Sequence, residues 1–149
     1  MKIAVASDHG GYELKEKIKQ HLTECGHEVV DAGTHSTTSV SYVDYGRKAC
    51  EEVRNGSCER AILVCGTGIG MSIVANKHKG IRAALCTNAF MVDMARRHNN
   101  ANVLVLGARV LAIPYAMILV DVFLSEPFEG GRHLERVNQI TKLEEEICE

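Results

Sequence analysis

Short apolar runs rich in β-branched residues alternate along the chain with segments whose apolar residues return every three or four positions. The first kind predicts strands and the second helices. Lys2–Ser7 reads as a strand. Leu14, Ile18 and Leu22 recur at four-residue intervals, so the spacing predicts a helix over Gly11–Cys25, with Gly26 as its stop. His27–Asp31 is the second strand, and residues 32–41, AGTHSTTSVS, form a polar loop. A helix over Val43–Arg54 is stopped by Asn55–Gly56. Arg60–Cys65 is the third strand, followed by a helix over Gly70–His78. Ile81–Cys86 is the fourth strand, Ala89–His98 a helix, and Asn102–Leu106 the fifth strand. Pro114 opens another helix, which suits its fixed φ and missing N–H. The last helix runs from Gly131 to Ile147.

Strand–helix alternation with nearly continuous apolar strands predicts an α/β fold, a five-stranded parallel sheet covered on both faces. Crossovers are expected to be right-handed. Ligands of such sheets bind beyond the carboxyl ends of the strands, where strand order switches. A motif that belongs to the site is therefore expected to follow a strand.

The chain of 149 residues is expected to form one domain, residues 1–149. A formal net charge of −2 gives no bulk attraction to nucleic acid or to a membrane surface. No apolar run approaches the ~20 residues of a membrane helix. The start, MKIAVASDHGG, has too short an apolar run for a secretory signal, so the protein is expected to be cytoplasmic. The six cysteines, at 25, 50, 58, 65, 86 and 148, show no C-x-x-C pair, and no histidine pair makes H-E-x-x-H or H-x₃-H. That argues against zinc and against a thioredoxin-type redox pair. Most of these thiols are expected to pack as small buried hydrophobes.

ILVCGTGIG, Ile62–Gly70, poses the main chemical question, because a cysteine stands where a glycine loop begins. Gly66, Gly68 and Gly70 spell G-x-G-x-G. The dinucleotide fingerprint G-x-G-x-x-G needs a glycine where Met71 stands, and no G-K-[ST] follows to make a Walker loop. What remains is a nest of backbone N–H groups able to hold a resident or developing anion, or a tight turn with no ligand. Cys65 precedes that nest, and helix N-termini and backbone donors favour a thiolate. A phosphatase C-x₅-R loop would need Arg at 71, which leaves proton-transfer base as the sharper chemical reading and a packing residue as the plain one. Asp8 and His9 in SDHGG follow the first strand. Asp8 is suited to orient a hydroxyl or to cap the first helix, and His9 to meet a phosphate. Arg132 and Arg136 in GGRHLER share a helical face, as a phosphate clamp or as a solvated face with Glu135. His98, in RRHNN, ends a helix and precedes a strand. It lies at the wrong end of the sheet for Cys65 of the same chain, so a catalytic His98 has to come from a neighbouring subunit.

Together, IAVASDHGG, CGTGIGMSIVANK, GIRAALC, RRHNNANVLVLGARV and GGRHLERV resemble the type B ribose-5-phosphate isomerases and the related galactose-6-phosphate isomerase subunits, over essentially the whole chain. The resemblance implies a Rossmann-like three-layer α/β/α sandwich without a nucleotide. It also implies reversible interconversion of ribose 5-phosphate and ribulose 5-phosphate, a pentose phosphate pathway step. Family members are homodimers or dimers of dimers with sites at the subunit interface, and use no metal or organic cofactor. Carried onto the matching positions, Cys65 is the base that moves a proton between C2 and C1, and the loop Gly66, Thr67, Gly68, Ile69, Gly70 holds the enediolate oxygen. Asp8 and His98 assist ring opening, Asn99 binds a sugar oxygen, and Tyr42 and Thr67 line the sugar. Cys65, Thr67, His98 and Asp8 are thus the catalytic set. His9, Arg132 and Arg136 match the phosphate ligands, with Arg109 a further candidate. One branch of the family has a glutamate base where Met71 stands and lacks the cysteine, so this chain resembles the cysteine branch. The competing readings are isomerisation of a six-carbon sugar phosphate (allose or galactose 6-phosphate) and a non-catalytic nucleotide- or phosphate-binding module.

Overall fold

The computed structural model describes residues 1–147. Five parallel strands form one sheet in the order β2-β1-β3-β5-β4. They are β1 (Lys2–Ser7), β2 (Glu28–Asp31), β3 (Arg60–Cys65), β4 (Ala83–Leu85) and β5 (Val103–Gly107). The helices are α1 (Tyr12–Glu24), α2 (Tyr42–Arg54), α3 (Ile69–Ala75), α4 (Ala89–Asn99), α5 (Ile113–Ser125) and α6 (Arg132–Ile147).

The central strands are buried on both faces, which explains their unbroken apolar sequence. Ile3, Val5, Ile62, Val64, Leu104 and Leu106 point to one face. There they meet Leu14, Ile18 and Leu22 of α1, Val92 of α4, and Leu119 and Phe123 of α5. The intervening positions Ala4, Ala6, Leu63, Cys65, Val103 and Val105 face the other way, against Ala49 and Cys50 of α2 and Met71 and Ala75 of α3. The result is the expected three-layer sandwich. Small residues on β1 let α2 approach closely, and Gly46 meets Met71 so tightly that a Cβ there would lie 2.9 Å from its sulfur.

The element boundaries differ from the sequence expectation where side chains intervene. The first helix begins at Tyr12 because Asp8 caps a separate 3₁₀ turn, His9–Gly11, by accepting from the Gly11 amide at 3.1 Å. The third helix stops at Ala75, short of His78. Asn76 leaves the helical path to bond both the amide and the carbonyl of Ala83, at 2.9 and 3.0 Å. The edge strand β4 keeps only Ala83–Leu85, since it has one neighbour, β5. Among the described residues five cysteines are free thiols, four of them buried, as expected of most, and Cys25 exposed. Cys148 lies outside the described residues. Among the described residues no helix is long and apolar enough to cross a membrane.

β1 leads to β2 on one side and β3 lies on the other, so strand order switches between β1 and β3. The segments leaving their carboxyl ends, Asp8–Gly11 and Gly66–Gly70, flank the crevice where such sheets bind ligands.

Candidate active site

Cys65 ends β3 with its side chain on the α2–α3 face and 5% exposed. The chain then turns sharply through Gly68, whose φ of 83° is left-handed and favours glycine. A Cβ there would also meet Leu85 at 2.5 Å. This turn aims the Gly68 amide at the Cys65 sulfur, 3.2 Å away. The turn continues into α3, whose first helical bond runs from the Ser72 amide to the Gly68 carbonyl. The Gly70 and Met71 amides therefore have no acceptor within the helix. The Thr67 hydroxyl accepts from the Ile69 amide at 3.3 Å, and Thr67 and Ile69 are exposed.

The turn after β1, the loop after β5 and the start of α2 bring four further candidates to the same edge. The Asp8 amide donates to the Val64 carbonyl, one residue before Cys65. Asp8 is buried, and His9 accepts from the Val40 amide through Nδ1 at 3.1 Å, which ties the polar loop to this turn. Arg109 donates its amide to the Gly66 carbonyl at 2.9 Å. Its guanidinium lies so close to both glycine turns that a Cβ on Gly66 would meet Nη1 at 3.3 Å and one on Gly10 would meet Nη2 at 3.8 Å. The Tyr42 ring packs on Gly70, where a Cβ would lie 2.8 Å from the ring. Cys65, Gly66, Thr67, Gly68, Ile69, Gly70, Asp8, His9, Tyr42 and Arg109 thus share the carboxyl edge.

His98, Asn99, Arg132 and Arg136 do not join them. β5 pairs with β3 from Ala61↔Val103 to Cys65↔Gly107. His98 and Asn99 precede Val103, so they lie beyond the amino edge, with more than ~13 Å of strand between that level and Cys65. There the His98 ring stacks on His133 of α6, with centroids 4.1 Å apart and planes within 11°. Arg132 and Arg136 flank His133 on α6 and are exposed. Burial holds the His133 pKa below its usual range, and the neighbouring His98, Arg132 and Arg136 act in the same direction against Glu129. The two arginines of RRHNN serve the fold. Arg96 is buried and bonds the Glu126 and Ala101 carbonyls and the Asn100 side chain. Burial, then repulsion from Arg60 and Arg82, lowers its pKa to about 10. Arg97 pairs with Asp93 and Glu126, each at 2.5 Å.

The profile of the Ribose/Galactose Isomerase family matches residues 3–140. The chain belongs to that family. It is 44% identical over 144 residues to ribose-5-phosphate isomerase B of Escherichia coli (strain K12), covering 97% of each chain. Among solved structures, the ribose-5-phosphate isomerase B of Clostridium thermocellum superposes with a TM-score of 0.98 at 51% identity, covering 99% of each chain. A ribose 5-phosphate isomerase of Thermotoga maritima gives 0.93 at 51% identity, covering 95% of this chain and 97% of that one.

In this member of the isomerase family, one residue and one groove have no local signal in the sequence. His133 is unremarkable in sequence, and only the packing of α6 on α4 places it against His98. Asn99 lines a groove of about 420 Å³ beneath α6, with Arg82, Ala95 and Ile140. This groove lies away from Cys65, at the amino edge.

Proposed function

We propose that this protein is a cofactor-independent aldose–ketose isomerase that interconverts ribose 5-phosphate and ribulose 5-phosphate, with Cys65 as the base. The observation that carries the reading is the Gly68 amide directed at the Cys65 sulfur in a glycine loop, within a chain of this isomerase family.

A proton on carbon next to a carbonyl is weakly acidic, so its removal needs a placed base and a held oxyanion. The Cys65 thiolate takes the C2 proton of the open-chain aldose. The C–H electron pair forms the C1–C2 double bond, and the carbonyl pair moves onto O1, giving a cis-enediolate. The thiol returns the proton to C1 on the same face while the hydroxyl proton passes from O2 to O1, which leaves the ketone at C2. The amides of Gly66–Gly70 hold the enediolate oxygen, and Thr67 and Tyr42 line the sugar. Asp8 and His98 assist opening of the furanose ring, and Asn99 holds a sugar oxygen. His9, Arg132 and Arg136 bind the phosphate, with Arg109 close to both glycine turns. The phosphate is remote from the reacting carbons, so its binding energy holds the scarce open chain in place.

No single copy brings these groups together, so a second copy supplies His98, Asn99, Arg132 and Arg136 to the Cys65 edge. The exposed apolar collar at that edge supports this assembly. Tyr42, Val43, Ile69, Phe90, Val110 and Ile113 all project at the amino ends of helices or the loops beside them and are 41–72% exposed. A homodimer, or a dimer of dimers, covers them. The working compartment is the cytoplasm, where the free thiols stay reduced.

The test is an isomerase assay in deuterium oxide with ribose 5-phosphate, allose 6-phosphate and galactose 6-phosphate. Ribose 5-phosphate is expected to turn over fastest and to give ketose labelled at C1. Faster turnover of a six-carbon substrate reassigns the substrate. No turnover and no exchange with any of the three leaves a phosphate-binding module.

A further inference from the structure

Outside the active edge, the fold assembles a set of ligand atoms that no zinc motif announces. His21 and Cys25 stand four residues apart on α1, so they share a helical face. Asp121 comes to them from α5. His21 Nε2 lies 2.6 Å from Asp121 Oδ1 and 3.9 Å from Cys25 Sγ. All three ligand atoms fall within 4.8 Å of one another. We propose that His21, Cys25 and Asp121 form a binding site for a zinc-class divalent cation that ties α1 to α5.

The chemistry of the set selects the ion. Thiolate, imidazole and carboxylate are the three usual zinc ligands, and calcium or magnesium would want oxygen alone. Tetrahedral zinc with these ligands has ligand–ligand edges of roughly 3.3–3.6 Å. The sulfur–nitrogen pair needs to close by a few tenths of an ångström. The nitrogen–oxygen pair, now a hydrogen bond, needs to open by less than ~1 Å. Asp121 and Cys25 are exposed and His21 is half-buried, so small rotations of surface side chains suffice and solvent can fill the fourth position. On binding, the Cys25 S–H proton leaves to solvent. The imidazole coordinates through the Nε2 lone pair with its proton on Nδ1, and the carboxylate coordinates through one oxygen. The two helices sit on one face of the sheet and share its core through Leu22 and Leu119. A bound ion therefore cross-links elements that are far apart in sequence but already packed. A second group of possible ligands, His98, Glu129 and His133, belongs to the amino edge of the site described above.

The test is titration of the metal-free, reduced full chain with zinc ions by calorimetry, and with cobalt ions by absorption. One ion is expected to bind per chain, with a sulfur-to-cobalt charge-transfer band in the near ultraviolet and a rise in melting temperature. Cys25→Ser is expected to abolish the charge-transfer band. His21→Gln and Asp121→Asn each weaken zinc binding by more than the ~10–100-fold typical of losing a ligand's supporting partner. Isomerase activity of the three variants without metal is expected to match the parent, which shows that they fold. No zinc binding by the parent chain overturns the proposal. So does binding that survives Cys25→Ser with its band intact, or that is lost only with His133→Gln.

Discussion

The carboxyl edge of the sheet fixes its candidate groups by backbone, whereas the amino edge carries them on helix surfaces. At the carboxyl edge Cys65 ends a buried strand, Gly68 holds a left-handed turn, and a peptide amide faces the sulfur at 3.2 Å. At the amino edge Arg132 and Arg136 project from α6 into solvent, and His98 is held by a stacked ring. The difference matches the demands of the two tasks proposed for these edges. Proton transfer from carbon tolerates little displacement, so its groups belong on rigid elements. A phosphate can be met by long guanidinium side chains whose donors form a planar fork. The proposed site shared between two copies of the chain rests on this division.

The largest effect is expected at the carboxyl edge. Cys65→Ala removes the proposed base while leaving every amide of the loop in place, and kcat/KM is expected to fall at least ~10²–10⁴-fold. Sugar-phosphate binding, followed by calorimetry, is expected to persist. Near-normal turnover of that variant would remove the thiol from the chemistry. At the other edge Arg136→Ala is expected to act mainly through KM. Loss of a hydrogen bond to a charged group costs about 1.5–3 kcal/mol, or roughly 10–100-fold, for phosphorylated substrates. An equal loss on unphosphorylated ribose would take Arg136 out of the phosphate clamp.

The smallest effect concerns what supports the carboxyl edge. Asp31, at the end of β2, accepts from Lys15 at 2.7 Å, Lys19 at 2.9 Å and the Gly33 amide at 2.9 Å. Burial disfavours its charge, but these donors prevail and hold its pKa down at about 2. A carboxylate depressed below its unfolded value stabilises the fold above pH ~4 and loses that contribution as pH falls through 2. The amount at stake is about 2 kcal/mol. Thermal melts between pH 5 and 2 are expected to show this decline, with a shallower slope for Asp31→Asn. An unchanged slope would mean that Asp31 is not the group that titrates.

Local pattern reveals much of this molecule, and long-range packing accounts for what it hides. β1 and β3 were legible to the residue because burial on both faces leaves no polar position within their apolar stretches. The glycine loop was legible because spacing alone excludes the nucleotide fingerprints. The separation of His98 from Cys65 also follows from chain direction in a parallel sheet. The early stop of α3 was not legible, since it depends on Asn76 bonding a strand that comes seven residues later. The stack of His133 on His98 and the meeting of His21 with Asp121 join residues far apart in the chain, and no local periodicity encodes either. Asp8 illustrates a residue with two compatible readings, because the same carboxylate that caps a turn stands beside the Cys65 strand.

Co-expression of two variants, each expected to be inactive alone, tests the proposed shared site most directly. One carries Cys65→Ala, and the other carries His98→Gln, Arg132→Ala and Arg136→Ala. If each site draws its base from one copy and its amino-edge groups from another, half of the mixed population is hybrid dimer and each hybrid holds one intact site. Activity is then expected to recover to about one quarter of the parent value. Activity no greater than the sum of the two variants alone would contradict the account, because it would place every essential group within a single chain.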